Sequence, residues 1–185
     1  MEGLGFTTVS FGHGNHDVYH KTPVCTFEMH RALFGSELDN RIVTYYQDIK
    51  DTLILSGGFE LRFSPEDFYV YMVAHEYKHY SESGTGLRSL LDTYVYLQKV
   101  PLDMEYVNGE MEKLGIGDFE KKNRNLATHL FGEEPLTSED KAMLDYIIGS
   151  GTYGNLENRV NNKVRKYGGR WRYILNRLFL CRWIW

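Results

Sequence analysis

Residues 64–67, Ser-Pro-Glu-Asp, divide the sequence into two parts that follow different hydrophobic patterns. Ser64 suits a helix N-cap, Pro65 the first helical position and Asp67 the third, so a helix is predicted to begin here. Before this point short alternating runs are separated by glycine-rich connections, whereas after it apolar residues repeat with helical spacing. The sequence therefore predicts an α+β chain, with a short antiparallel sheet in residues 1–63 and an all-helical lobe in residues 64–185.

The same patterns predict the individual elements. Strands are predicted over residues 6–11, 16–21, 25–33, 52–55 and 59–63. Helices are predicted over residues 38–49, 65–80, 103–114, 118–130 and 138–148, from residue 87 up to Pro101, and from residue 155 to the end. The third strand alternates, which places Phe27 and Met29 on an apolar face and Thr26, Glu28 and His30 on a polar face.

Charge and apolar content exclude several classes of protein. The chain has 21 Lys and Arg residues against 25 Asp and Glu residues, with a formal charge of −4, so it lacks the basic signal of a nucleic-acid binder. It has no run of 18 apolar residues and no signal peptide, which predicts no membrane span. The two cysteines, Cys25 and Cys181, are too few for a disulfide scaffold, and we expect a cytoplasmic protein.

The segment His75-Glu76-Tyr77-Lys78-His79 matches the zinc-peptidase pattern H-E-x-x-H. On a helix, His75 and His79 could share a zinc ion, and Glu76 could polarise the bound water. A third ligand is missing, because Thr85 stands six residues after His79 and the nearest acid on the following helix is Asp92. In the competing interpretation the two histidines are packing residues in an apolar stripe. A zinc metallopeptidase is therefore kept as an alternative.

Glu28 is an acid at the centre of an otherwise apolar strand. Such a residue is usually the solvent-facing member of an antiparallel sheet. It is also suited to hold Mg²⁺, because magnesium-dependent phosphoryl transfer uses two or three carboxylates held on rigid neighbouring strands. Both interpretations of Glu28 stay open on the residues alone.

The order of segments along the chain resembles a known family. A strand ending in Phe-Glu-Met-His-Arg-Ala-Leu is followed by a helix ending in His-Glu-Tyr-Lys-His, then by Gly-Leu-Arg-Ser-Leu-Leu-Asp and later by Gly-Thr-Tyr-Gly. This order resembles the uncharacterised bacterial nucleotidyltransferases of the DNA polymerase β superfamily, from about Gly3 to the last helix. The resemblance implies magnesium-dependent transfer of a nucleoside monophosphate from a nucleoside triphosphate to an unknown acceptor.

The resemblance also implies three active-site carboxylates, of which Glu28 matches the third. The other two would form an Asp-x-Asp pair after a Gly-Ser-type turn, but residues 1–27 contain only the acids Glu2 and Asp17. The first residues look like the end of a helix, with Gly3 and Gly5 as stops. We therefore expect a fragment that lacks its N-terminal catalytic segment and is inactive alone. A non-catalytic binding module is a further alternative.

Other residues receive roles by the same comparison. His30, beside the acid, and Lys78, a point cation, are predicted to contact the nucleotide, although Lys78 could equally be solvated. Arg88 and Asp92 are four apart and can pair on a helix, and with His75 and His79 they are predicted to support the site structurally. The C-terminal helix carries Trp183 and Trp185, which suggest an apolar patch for self-association.

Overall fold

The computed structural model describes residues 1–36, 38–152 and 154–180. The chain forms two compact units, residues 1–64 and residues 65 onward. The first unit contains all five strands of the described chain, and the second contains only helices. The fold is therefore α+β, with the change of structure at the Ser-Pro-Glu-Asp segment.

The first unit contains a three-stranded antiparallel sheet and a separate hairpin. The sheet has the order β1-β2-β3, with strands Thr7–Ser10, His16–Lys21 and Cys25–His30. The hairpin pairs β4 with β5, which are Ile54–Gly57 and Glu60–Arg62. Gly12 and Gly14 in the first connection have φ of 76° and 68°, backbone angles that glycine adopts without strain. The glycines that predict a turn in this connection therefore adopt backbone angles typical of a turn.

The pairing of β2 with β3 confirms the predicted alternation. Val18 lies opposite Glu28, His16 opposite His30, and His20 opposite Thr26. Side chains directly opposite each other on antiparallel strands share a face, so β2 extends the polar face of β3 with two further histidines. The sheet thus has one face lined largely by histidine, threonine and glutamate.

One predicted helix in this unit is much shorter in the structure. Residues 38–49 were expected to be a single helix, but α1 covers only Asn40–Tyr45, and a short 3₁₀ helix follows at Ile49–Asp51. Asp39 caps α1 by accepting a hydrogen bond from the backbone N–H of Arg41. A β-branched and two aromatic residues occupy positions 44–46, and these residue types favour helices weakly, which accounts for the early end.

The second unit is built of seven helices in the described chain. They are α2 (Pro65–Glu82), α3 (Leu87–Lys99), α4 (Met104–Leu114), α5 (Gly117–Phe131), α6 (Ser138–Ser150), α7 (Leu156–Lys166) and α8 (Arg170–Leu180). Asp103 caps α4, and Thr137 with Asp140 forms a capping box at α6. The predicted single helix from residue 155 is two helices, because Gly168 and Gly169 take φ of 73° and 130°.

A hydrophobic core joins α3, α5 and α6. It is formed by Leu90, Leu126, Ala127, Met143 and Ile147. This core holds the inner faces of α3 and α5, and so it positions the polar residues that those helices present to α2. The predicted aromatic patch at Trp183 and Trp185 lies outside the described residues.

Candidate functional site

Glu28 lies on the polar face of the sheet with its side chain 52% exposed. The Nε2 atom of His30 is 3.8 Å from the Oε2 atom of Glu28, and the rings of His30 and His16 are 5.1 Å apart between centroids. His20, on the same face, lies 3.2 Å from the hydroxyl of Thr26. The predicted pair Glu28 and His30 is therefore brought together on an accessible, hydrogen-bonding surface.

Asp17 does not join Glu28, although it is the only other acid of the sheet strands. It lies on β2 at the position next to Val18, which is the residue opposite Glu28, so its side chain is on the other face. It is buried there and accepts a hydrogen bond from the N–H of Gly12 at 2.8 Å. The Nε atom of Arg31 lies 3.3 Å from the same oxygen. Asp17 thus fixes the connection between β1 and β2 through its hydrogen bond with Gly12.

The described residues do not complete a metal site. Within them, no three His, Cys, Asp or Glu side chains are grouped so that they could hold a metal ion. A carboxylate such as that of Glu28 is the right kind of ligand for Mg²⁺, but phosphoryl-transfer sites use more than one. The donor set of the described residues therefore fits magnesium in kind and is incomplete in number.

A cavity of about 600 Å³ in the helical unit brings together most of the other predicted residues. His75, Glu76 and His79 reach it from α2, and Arg88 and Asp92 reach it from α3. The rest of the wall comes from α2, from the start of α3 and the two residues before it, and from the end of α6 and the turn after it: Met72, Thr85, Gly86, Leu87, Ser89, Ile147, Ile148, Gly151 and Thr152. These residues come from separate segments of the sequence, and the structure places them around one cavity.

The zinc interpretation of the His-Glu-Tyr-Lys-His segment is not supported. His75 and His79 lie one turn apart on α2, with ring centroids 4.7 Å apart, as the spacing predicts. The described residues supply no third ligand to form a metal-binding group with them. Glu76 is only 3% exposed and accepts a hydrogen bond from the side-chain Nδ2 of Asn123, at 2.8 Å.

The competing interpretation, in which these histidines are packing residues of an apolar stripe, places them on a face of α2 that is largely exposed. Phe68, His75 and His79 are exposed, and the buried face of α2 is instead formed by Tyr69, Val70, Val73, Ala74 and Glu76. The stripe of α2 that the sequence predicts to be buried is thus offset by one residue from the stripe that is buried in the structure. Both histidines line the cavity.

Glu76 is the most perturbed acid of the site. Burial raises the pKa of its carboxyl from 4.5 to about 7, against the opposing effect of the polar side chains of Asn123, Thr93 and Ser89. Its Oε2 atom accepts from Asn123, while Oε1 is buried without a hydrogen-bond partner, as is the Oδ1 atom of Asn123. Partial burial lowers the pKa of the His79 imidazole below its ordinary value. An unusual carboxyl therefore lines the cavity.

The Arg88–Asp92 pair lies on the surface of α3. The Nε atom of Arg88 is 3.8 Å from Oδ2 of Asp92, and the two side chains are 91% and 56% exposed. A pair this exposed contributes little to stability, so it does not lock the helices together. Lys78 is half-buried on α2, and its contact with a triphosphate stays a prediction.

Sequence reasoning missed Asn123, Thr93 and Ser89, which surround the buried carboxyl. A signal for Asn123 was present. It stands between Phe119 and Leu126 at helical spacing, so a polar residue interrupts the apolar stripe of α5. A polar residue at a core position needs a hydrogen-bond partner, and here that partner is Glu76.

Comparison with known protein families assigns the chain to one of them. The family described as uncharacterised nucleotidyltransferase matches residues 1–132, which include the sheet, the hairpin and helices α1 to α5. The chain belongs to this family. No curated protein and no solved structure gave a significant match. None of the described helices combines the length and the apolar character that crossing a bilayer requires.

Proposed function

We propose that the protein takes part in nucleotidyl transfer, the passage of a nucleoside monophosphate from a nucleoside triphosphate to an acceptor. The observation that carries the proposal is the family match over residues 1–132. The matched part contains both Glu28 with His30 and the residues of α2 and α3 that surround the cavity. We place the triphosphate on the sheet face that carries Glu28 and His30.

Glu28 is proposed as one carboxylate ligand of a magnesium ion. An exposed carboxylate on a paired strand keeps a defined position and remains open to an incoming metal-bound nucleotide. When bound, Mg²⁺ would neutralise charge on the phosphates. The site needs further carboxylates that the described residues do not place beside Glu28.

His30 and Lys78 are proposed as nucleotide contacts. His30 lies within 3.8 Å of Glu28, where a protonated imidazole could donate to a phosphate oxygen. Lys78 offers an ammonium group from a half-buried position on α2. Neither side chain selects a base, so each would recognise phosphate within its own unit.

Nucleotide binding by calorimetry tests this function. The protein is titrated with each of the four ribonucleoside triphosphates, with and without Mg²⁺. Glu28→Gln removes the charge but keeps the shape, and we expect it to weaken magnesium-dependent binding at least tenfold. Glu60→Gln is the matched control, since Glu60 is an exposed strand acid of the same unit that pairs with Arg62. Equal binding by the wild type and Glu28→Gln, or no binding by the wild type, would overturn the proposal.

A further inference from the structure

The last part of the chain differs in charge from the rest. Residues 155–185 contain eight of the 21 Lys and Arg residues but only one of the 25 Asp and Glu residues, Glu157. The formal charge of the whole chain is −4, so the positive charge of this segment is hidden in the overall composition. The family match ends at residue 132, and the segment lies outside it. A basic segment in an acidic chain indicates an anionic partner of its own.

The basic side chains of this segment are not neutralised within the described part of the chain. None of the six whose side chains are described forms an ion pair there: Arg159, Lys163, Arg165, Lys166, Arg170 and Arg172. All of them except Lys163 are exposed. Their positive charge is therefore presented to the surroundings of the protein.

Helix α7 packs against the rest of the helical unit through polar side chains. Asn158 and Asn162 donate side-chain hydrogen bonds, each of 2.8 Å, to residues of α6. Val160, midway between these two asparagines, points about 200° away from each of them around the helix axis. Leu156 lies one turn before Val160 on the same side, and the two residues are 75% and 39% exposed. Helix α7 is therefore turned with an apolar stripe away from the helices it packs on.

Helix α8 presents a second exposed apolar pair. Trp171 and Leu175 are four residues apart, so they lie on the same side of the helix, and they are 78% and 50% exposed. Tyr173 lies on the other side, where its ring centroid is 5.8 Å from that of Tyr167, the residue that follows α7. The contact with α7 thus leaves the face of Trp171 and Leu175 uncovered.

Exposed apolar side chains beside basic ones favour a lipid surface over the other anionic partners. RNA would satisfy the charge and stack on Trp171, but aliphatic residues such as Leu156 and Leu175 gain little from bases or phosphates. A second copy packed through the same helices would bring like charges together. Acidic headgroups attract lysine and arginine, and the adjoining acyl chains take up leucine and tryptophan.

We propose that α7 and α8 bind the surface of a membrane that contains anionic phospholipids. Their basic groups lie among the headgroups, and their exposed apolar side chains reach the boundary of the acyl chains. Each helix has 11 residues, about half the length needed to cross a bilayer, so both lie along the surface. The proposal does not depend on nucleotide binding, because its residues all lie after the matched part of the chain.

Tryptophan fluorescence tests the proposal, because the three tryptophans of the chain all lie in residues 171–185. The full chain is titrated, without nucleotide, with vesicles of phosphatidylcholine alone or of phosphatidylcholine and phosphatidylglycerol in equal parts. We expect a saturable blue shift with the anionic vesicles, at least tenfold weaker binding to the neutral ones, and loss of binding in high salt. No saturable change with the anionic vesicles, or equal binding to both kinds, would overturn the proposal.

Substitution of arginines tests the electrostatic part of the binding. Arg170→Gln combined with Arg172→Gln removes two exposed charges from α8, and we expect at least fivefold weaker binding to the anionic vesicles. Lys99→Gln combined with Lys141→Gln removes two exposed charges from α3 and α6, and this matched control should bind as the wild type does. Unchanged binding in the arginine variant, or an equal loss in the lysine variant, would contradict the assignment to α8.

Substitution of an exposed leucine tests the apolar part. Leu175→Gln is expected to weaken vesicle binding several-fold, whereas Leu91→Gln, at a leucine of α3 that is 44% exposed, should leave it unchanged. Equal effects of the two substitutions would contradict insertion of the apolar face of α8.

Two further measurements distinguish the other partners. Binding to a single-stranded RNA is followed by fluorescence anisotropy, and the mass of the protein without lipid is followed by light scattering. We expect weaker binding to RNA than to the anionic vesicles and no oligomer that α7 and α8 hold together. Tighter binding to RNA, or an oligomer that is lost in Leu175→Gln and excludes vesicles, would overturn the proposal in favour of that partner.

Discussion

At the scale of single residues, Glu76 shows how position alters a carboxyl group. Its neighbours on α2, His75 and Tyr77, are more exposed, yet Glu76 faces α3 and α5, where Thr93 and Asn123 surround it. The low polarity of this environment favours the neutral acid. In the zinc interpretation Glu76 acts as a general base. In the structure it is buried, and the described residues place no group of metal ligands around it.

The raised pKa of Glu76 predicts a specific loss of stability with pH. Because the pKa is about 7 in the folded protein against 4.5 ordinarily, folding opposes ionisation of this carboxyl, and stability falls as the pH rises from about 4.5 to about 7. Glu76→Gln lacks this loss. Between pH 5 and pH 8 we expect the free energy of unfolding of the wild type to fall by about 2 to 3 kcal/mol relative to the variant.

Denaturant unfolding at the two pH values measures the effect. Glu112→Gln serves as the control, since Glu112 is an exposed acid on α4. The wild type and the control should change in parallel. A Glu76→Gln variant that followed the same pH dependence as both of them would contradict a raised pKa at Glu76.

At the scale of secondary-structure elements, the turn between α2 and α3 depends on one glycine. Gly84 has φ of +106°, and a Cβ atom added there would clash with the side chain of Ser150. Its N–H donates to the backbone oxygen of His79, which closes α2. The turn therefore holds α2, α3 and the end of α6 in the arrangement that forms the cavity.

Substitution of Gly84 by alanine is expected to destabilise the protein. Both the positive φ and the clash with Ser150 oppose a side chain, and we expect a loss of about 2–4 kcal/mol in the free energy of unfolding. Gly109→Ala is the matched substitution on α4, where nothing lies within 4 Å of the added Cβ. It should raise stability by about 0.5–1 kcal/mol. Thermal unfolding of both variants gives the test, and equal effects would contradict the account.

Local signals explain which elements were predictable. Helices α2, α4 and α6 begin with capping residues or proline, signals that act within one turn and are readable from the sequence. Residues 38–49 and the segment after residue 155 were predicted as continuous helices because apolar periodicity was given more weight than local preference. In the second case Gly168 and Gly169 were the visible signal of a break.

The candidate site was less predictable than the helices that carry it. On α2, Phe68, Met72, His75 and His79 form one stripe, and Tyr69, Val73, Glu76 and Tyr80 form another that is displaced by one residue. Both have helical spacing, so periodicity cannot choose between them. The choice is made by Asn123 on α5, 47 residues away along the chain, which supplies the hydrogen bond that lets Glu76 be buried. Such long-range pairing is not visible in a single sequence.

At the scale of the whole molecule, we propose that residues 1–185 do not catalyse transfer by themselves. Nucleotidyl transfer needs more than one metal-binding carboxylate, and the described residues bring only Glu28 to the sheet face. Incubation of the protein with labelled triphosphates, Mg²⁺ and a range of acceptors should give no labelled product. Clear turnover that is lost in Glu28→Gln would show that the described arrangement is sufficient and that this prediction is wrong.

Paramagnetic relaxation tests most directly where the nucleotide binds. Mn²⁺ replaces Mg²⁺ in solution with the triphosphate that binds best, and its unpaired electrons broaden the NMR signals of nearby amides. The account predicts that the signals of β2 and β3 around Val18 and Glu28 broaden, and that Glu28→Gln removes the effect while Glu60→Gln does not. Broadening that spared these strands, or that was unchanged in Glu28→Gln, would contradict a nucleotide site on this face of the sheet.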